Sequence, residues 1–250
     1  MPGPAPFRTA VLLAVLGLVA PDGAGRPAFA RGNCCFHGVA LTHGDRSSRQ
    51  IALTFDLCPT SHHPGYASEI VALLKARRIP TTFFVSGRWA TAHPAPLREL
   101  EATDGFELAL HGNLHRHLAH LPEPAIAEEI DSGRRTLQSL GARPVDLFRP
   151  PYGDTPGALA PAAERTGVSV VLWDVVSGDP DRQLTSSRLV RRVLRARGGS
   201  IVVMHANGAG IRRARDLSLI LDGLEREGYE FVTVGTMLDD CQARTTPPSG

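Results

Sequence analysis

IALTFDLCP, residues 51–59, sets how the chain is read: a short apolar, β-prone run leads directly into Asp56, Leu57 and Cys58. A continuous apolar run of this length suits a strand buried on both faces, and such strands belong to parallel sheets. Similar runs recur at residues 81–85 (TTFFV), 106–110 (FELAL), 145–148 (VDLF), 168–173 (VSVVLW), 200–204 (SIVVM) and 230–234 (EFVTV). Between them lie helical patterns at 66–77, 124–140, 157–166, 186–196 and 216–227. The second places Ile126, Ile130, Leu137 and Leu140 on one face, and Gly228 is a C-cap candidate for the last. This alternation predicts an α/β fold around a parallel sheet, doubly wound or closed into a barrel.

The reactive side chains stand at the ends of these runs. Asp56 follows the first run, His111 the third, Arg149 the fourth, Asp174 the fifth and His205 the sixth. Barrel enzymes build their sites at the C-terminal ends of strands, so all five are expected to converge on one rim. In HGNLHRH, His111 and His115 are four apart, which puts both imidazoles on one face if the segment turns helically. Paired nitrogen ligands suit zinc or a similar divalent ion. His93, His117 and His120 read as bystanders.

The chain has 250 residues, of which 42% are hydrophobic, and a formal charge of +2. It can bury a substantial core and is not disordered, and its net charge points to no partner. Arg188, Arg191, Arg192, Arg195 and Arg197 alternate with Leu189, Val190, Val193 and Leu194 as the solvated face of an amphipathic helix does. Nucleic-acid binding would require a broader basic surface.

Residues 1–30 combine Arg8, the apolar stretch 10–20 and Ala28-Phe29-Ala30, which is the pattern of a signal peptide cleaved after Ala30. The stretch is shorter than the ~20 residues a membrane span needs. The expected product is exported, periplasmic or extracellular, with no stable membrane insertion after cleavage. Outside the cytoplasm thiols tend to oxidise, so Cys58 and Cys241 are expected to pair with Cys34 and Cys35, one to each. A free or metal-ligating Cys58 is the competing reading. The sequence carries no signal of oligomeric state.

Taken together, these motifs resemble the polysaccharide deacetylases of carbohydrate esterase family 4, the NodB-homology group. TFDLCP resembles TFDDGP, HGNLH resembles H-[ST]-x-x-H, and RPPYG (149–153) resembles R-x-P-Y. WDVVSGDP (173–180) and VVMHAN (202–207) stand where the last two motifs belong. The resemblance covers roughly 49–239. The implied organisation is a signal peptide (1–30), a lead-in (31–48), a deacetylase domain (49–240) and a tail (241–250) that reads as disordered apart from Cys241.

The resemblance implies a distorted (β/α)7 TIM-like barrel that uses a divalent metal, zinc foremost with cobalt, nickel or manganese as alternatives. The implied reaction removes N-acetyl groups from a GlcNAc-containing polymer, peptidoglycan or chitooligosaccharide. It matches Asp56 to the catalytic base, His205 to the acid, His111 and His115 to metal ligands, and Arg149 to the group holding the base. Tyr152 matches the residue whose backbone N–H serves the oxyanion, and Asp179 the carboxylate that orients the acid histidine.

The departures from the pattern are specific. Leu57 stands where the family has a metal-binding aspartate, Gly112 replaces Ser or Thr, and Pro180 follows Asp179 in place of a tryptophan, with Trp173 nearby. Leucine coordinates nothing. The substitutes are Asp56 itself, His62 or His63, and Cys58 if no disulfide claims it. With two imidazoles alone, metal affinity should be weaker than that of a complete triad. Rival readings are a carbohydrate-binding homologue with little or no turnover and a hydrolase of small non-sugar amides.

Overall fold

The computed structural model describes residues 35–60, 65–211 and 213–243, with Cys35 and His37 by backbone only. The signal-peptide, His62, His63 and Cys34 expectations therefore lie outside the described residues. Ten strands are present among them: β1 (Cys35–His37), β2 (Ala40–His43), β3 (Gln50–Leu57), β4 (Thr81–Val85), β5 (Phe106–Leu110), β6 (Leu147–Phe148), β7 (Ser169–Val171), β8 (Val175–Val176), β9 (Ser200–His205) and β10 (Glu230–Phe231). The helices are α1 (Ser68–Ala76), α2 (Gly87–Ala92), α3 (Pro94–Glu101), α4 (Glu123–Ser139), α5 (Leu159–Thr166), α6 (Ser186–Val193), α7 (Ala214–Arg226) and α8 (Val234–Ala243).

Seven strands close into a ring in the order β3-β4-β5-β6-β7-β2-β9 and back to β3. All neighbours are parallel except β2 and β9, which meet antiparallel at His43 and Ser200. The fold is thus the expected distorted (β/α)7 barrel, but its seventh stave differs from the one expected. Residues 230–234 supply only the two-residue β10, paired with the start of β3. The seventh stave is β2, from the segment read as a polar lead-in.

One inward side chain from each stave joins the cluster that fills the barrel down to its floor: Leu41, Ala52, Phe84, Ala109, Leu147, Val171 and Ile201. Helix α8 adds Val234, Met237, Leu238 and Cys241 to this cluster. The tail expected to be disordered after Asp239 is helical as far as Ala243 because it covers that floor. The opposite face of each stave packs on the helices, with Leu53, Phe55 and Leu57 of β3 in that larger core. Period-two alternation thus assigns Ala52, Thr54 and Asp56 to the barrel interior and Leu57 to the outer layer.

Near the floor, the Glu107 carboxylate accepts hydrogen bonds from Thr82 Oγ1 (2.7 Å) and the Gly235 N–H (3.1 Å), tying α8 to the staves. Burial raises its pKa above the ordinary carboxylate value, against the smaller opposing effect of these bonds. A carboxyl raised in the folded state gives stability that is full below its unfolded pKa and lost as pH rises through the folded one. Glu107→Gln cannot ionise, so its melting temperature should gain on wild type as pH rises from acid to neutral. Thermal melts across that range check this; a constant difference would refute it.

Candidate active site

Strand β3 delivers Asp56 to the mouth of the barrel, where it is buried against Arg149. Arg149 follows β6 and is itself fully buried. Its Nη1 donates to Asp56 Oδ1 (2.7 Å) and Thr54 Oγ1 (2.8 Å), and its Nη2 to the Leu172 carbonyl (3.1 Å). The guanidinium lies over the Phe84 ring at 3.9 Å and faces Trp173 at 5.5 Å. Burial works to raise the Asp56 pKa, but Arg149 first, then His111 and His205, outweigh it and hold the carboxyl below its ordinary value. The carboxylate is therefore ionised and fixed in one orientation.

A second pair stands beside the first, because Asp56 and His205 are register partners on the neighbouring strands β3 and β9. His205 ends β9, and its Nδ1 lies 3.0 Å from Asp179 Oδ1. Asp179 also accepts from the backbone N–H groups of His205 (2.7 Å) and Ile211 (2.9 Å) and from Ser177 Oγ (2.9 Å). Four hydrogen bonds on one buried carboxylate hold it in a single orientation. Burial opposes protonation of His205, but the Asp179 bond, together with Cys58 and Asp56, carries its pKa well above the ordinary imidazole value.

The imidazole pair comes together by a route other than the helical turn expected. The segment after β5 is a loop with positive φ at Gly112 (73°) and His115 (59°), and its rings meet edge to face at 4.9 Å. Gly112 departs from the family pattern for a steric reason: a Cβ there would lie 2.9 Å from Glu129 Oε1. That oxygen accepts the N–H groups of Asn113 (3.0 Å) and Leu114 (2.7 Å) and so shapes the loop. His111 Nδ1 bonds the Arg149 carbonyl at 2.7 Å.

Cys58 departs from its expected disulfide. It is a free thiol. The position after Leu57 returns to the interior side of β3, and Sγ lies 3.5 Å from His111 Nε2. The candidate ligand atoms of Cys58, His111 and His115 all lie within 4.8 Å of one another. Burial opposes ionisation of the thiol, but His111 first and then His115 and His205 hold its pKa well below the ordinary value. Cys241 is far from this, in the barrel floor with Phe36 packed alongside.

Tyr152 is 57% exposed, with φ 61° in the turn Pro151–Gly153, and its ring stacks on His117 at 3.6 Å. The bystander His117 thus borders the site, while His120 does not. Asp174 is the one rim candidate placed elsewhere. It binds Arg46 (2.7 Å), Ser200 Oγ (3.0 Å) and the Ile201 N–H (2.8 Å), at the end of β9 opposite His205. Sequence reasoning missed Ser177 and Asn207, whose Nδ2 donates to the Cys58 carbonyl at 3.1 Å. Both lie inside quoted motifs, WDVVSGDP and VVMHAN, whose pattern gave neither of them a role. Trp173 supplies an aromatic wall where Pro180 cannot, in a cleft of about 940 Å³ bordered by Asp56, Cys58, His111, His115, Tyr152 and His205.

The donor set fits a divalent ion: one sulfur and two nitrogens match the three protein ligands of a catalytic zinc site. Among described helices, none is long and apolar enough to cross a membrane.

Residues 43–171 match the polysaccharide deacetylase family. A peptidoglycan-N-acetylglucosamine deacetylase of Bacillus cereus is 28% identical over 191 residues, covering 75% of this chain and 87% of that protein. A bifunctional xylanase/deacetylase of Pseudobutyrivibrio xylanivorans is 25% identical over 195 residues; the match covers 78% of this chain but only 31% of that longer protein. Among solved structures, a carbohydrate esterase family 4 pseudoenzyme of Bacillus anthracis shares the fold with a TM-score of 0.72 at 21% identity, covering 82% of this chain and 70% of that one. With the barrel, the ordered motifs and this match in agreement, the chain belongs to the polysaccharide deacetylase family, carbohydrate esterases of the NodB type.

Proposed function

We propose that the protein is an exported, metal-dependent hydrolase that removes N-acetyl groups from a GlcNAc-containing polymer, with peptidoglycan or a chitooligosaccharide as substrate. The observation that carries this reading is the convergence of two oriented pairs, Asp56–Arg149 and Asp179–His205, at the ends of neighbouring strands in one cleft. The Bacillus cereus relative, named for its action on peptidoglycan, supports the substrate class.

A divalent ion held by His111 and His115, with Cys58 beside them, would polarise the amide carbonyl and make water acidic enough to deprotonate near neutral pH. Asp56, ionised beside Arg149, takes the proton of the attacking water. His205, kept charged by Asp179, gives a proton to the departing amine, which cannot leave as an anion. The backbone N–H of Tyr152 serves the oxyanion, and loss of such a donor typically costs about 10²–10³ in rate. Trp173 and Tyr152 wall the cleft on which a sugar would rest.

Acetate release from chitooligosaccharides and peptidoglycan by the mature protein, stripped with chelator and reloaded with zinc, cobalt or manganese, tests this reading. His205→Ala should lower kcat by about 10²–10⁴, the usual range for a general acid. Asp56→Ala should abolish release, while folding is checked by circular dichroism. Sugar binding without release in every metal state would show a binding protein instead.

Export is supported by the residue pattern of 1–30, and oxidation outside the cytoplasm would pair Cys241 with Cys34 or Cys35. A disulfide from Cys241 to one of these is the matching expectation. Peptide mapping without reductant should find it; free Cys241 in protein collected outside the cytoplasm would refute it.

A further inference from the structure

We propose that the thiolate of Cys58 is the third protein ligand of a divalent metal site whose other ligands are His111 and His115, a sulfur donor standing where the family motif carries a carboxylate. This rests on the reading of the cleft as a deacetylase site and specifies its metal chemistry.

Three observations on different elements converge. Alternation along β3 turns Leu57 into the outer core and returns Cys58 to the face of Thr54 and Asp56, so the residue that reaches the ion is displaced one position along the chain. The three donor atoms lie within 4.8 Å of one another, with Cys58 Sγ 3.5 Å from His111 Nε2. His111 is oriented for ligation: its Nδ1–H donates to the Arg149 carbonyl at 2.7 Å, which leaves Nε2 as the nitrogen with a free lone pair. Asn207 fixes the other end of the arrangement by donating to the Cys58 carbonyl.

The other substitutes are weaker. Asp56 already binds Arg149 through Oδ1, and it falls outside the group of convergent donors. A thiolate is a softer donor than a carboxylate. The site should therefore favour zinc and cobalt over manganese and magnesium more strongly than one nitrogen pair with an oxygen would.

Cobalt(II) titration of the reduced, metal-free mature protein tests the assignment without recourse to turnover. The expected result is one ion per chain with a thiolate-to-cobalt charge-transfer band in the near ultraviolet. Cys58→Ser should lose the band and bind more than ~100-fold more weakly, beyond the 10–100-fold typical of removing an outer-shell partner. Cobalt-loaded wild type without the band, or Cys58→Ser with it, overturns the proposal. If Cys58→Ser does not fold, the alkylation rate of Cys58 in wild type, followed by peptide mapping, decides instead: saturating zinc should protect the thiol, and an unchanged rate overturns the proposal. Acetate release is read separately. Band without release refutes the deacetylase reading alone, and release without the band refutes thiolate ligation alone.

Discussion

Leu57→Asp is expected to unfold the barrel rather than complete its metal site. The substitution restores TFDD, and by motif alone it should help. The structure gives the opposite sign, because Leu57 is fully buried in the apolar layer between β3 and the helices. Its loss removes buried apolar contacts worth about 2–5 kcal/mol, judged from large-to-small core changes. The new carboxylate adds an uncompensated buried charge costing several kcal/mol more. Together these approach the ~5–15 kcal/mol that holds a typical domain folded. Denaturant unfolding should show a loss above about 4 kcal/mol, or no folded protein at all. A variant with wild-type stability and tighter zinc binding would show that residue 57 does reach the ion.

Arg149→Met should be the next most damaging change. Arg149 is fully buried and joins Asp56, Thr54 and the Leu172 carbonyl, with its guanidinium over Phe84 and facing Trp173. Methionine can fill some of the volume but leaves the Asp56 carboxylate buried without its cation. Breaking a buried ion pair from one side typically costs about 3–5 kcal/mol. Activity should fall with stability, since the base loses both its charge partner and its orientation. The double variant Asp56→Asn, Arg149→Met should recover much of the lost stability and none of the activity. Stabilities that merely add would show that the pair is not coupled.

The sequence made the central staves legible because β3, β4, β5 and β9 run for five to eight residues and are largely apolar or β-branched. It hid β2, a four-residue strand whose neighbours are polar and which gains its place only by contact with β7 and β9. Helices α2 and α3 are short and were not among the expected helical patterns; Pro94 occupies a first-turn position where no N–H is needed. Helix α8 lay hidden between the apolar run at 230–234 and a polar tail.

Within the site, strand-end position disclosed Asp56, Arg149 and His205, and it misled for Asp174, which lies past β7 and turns back toward the start of β9. Cys58 stood among the substitutes for the missing carboxylate, but the disulfide expected of an exported chain competed for its thiol. The period-two rule already grouped it with Asp56.

The early position of β2 decides how far the chain can be shortened. The family match begins at residue 43, so a protein trimmed to that boundary would lose nearly all of Ala40–His43. Two raw strand borders, on β7 and β9, would then face solvent as templates for neighbouring molecules. Such a truncation should self-associate, for want of one short strand that carries no chemistry of its own.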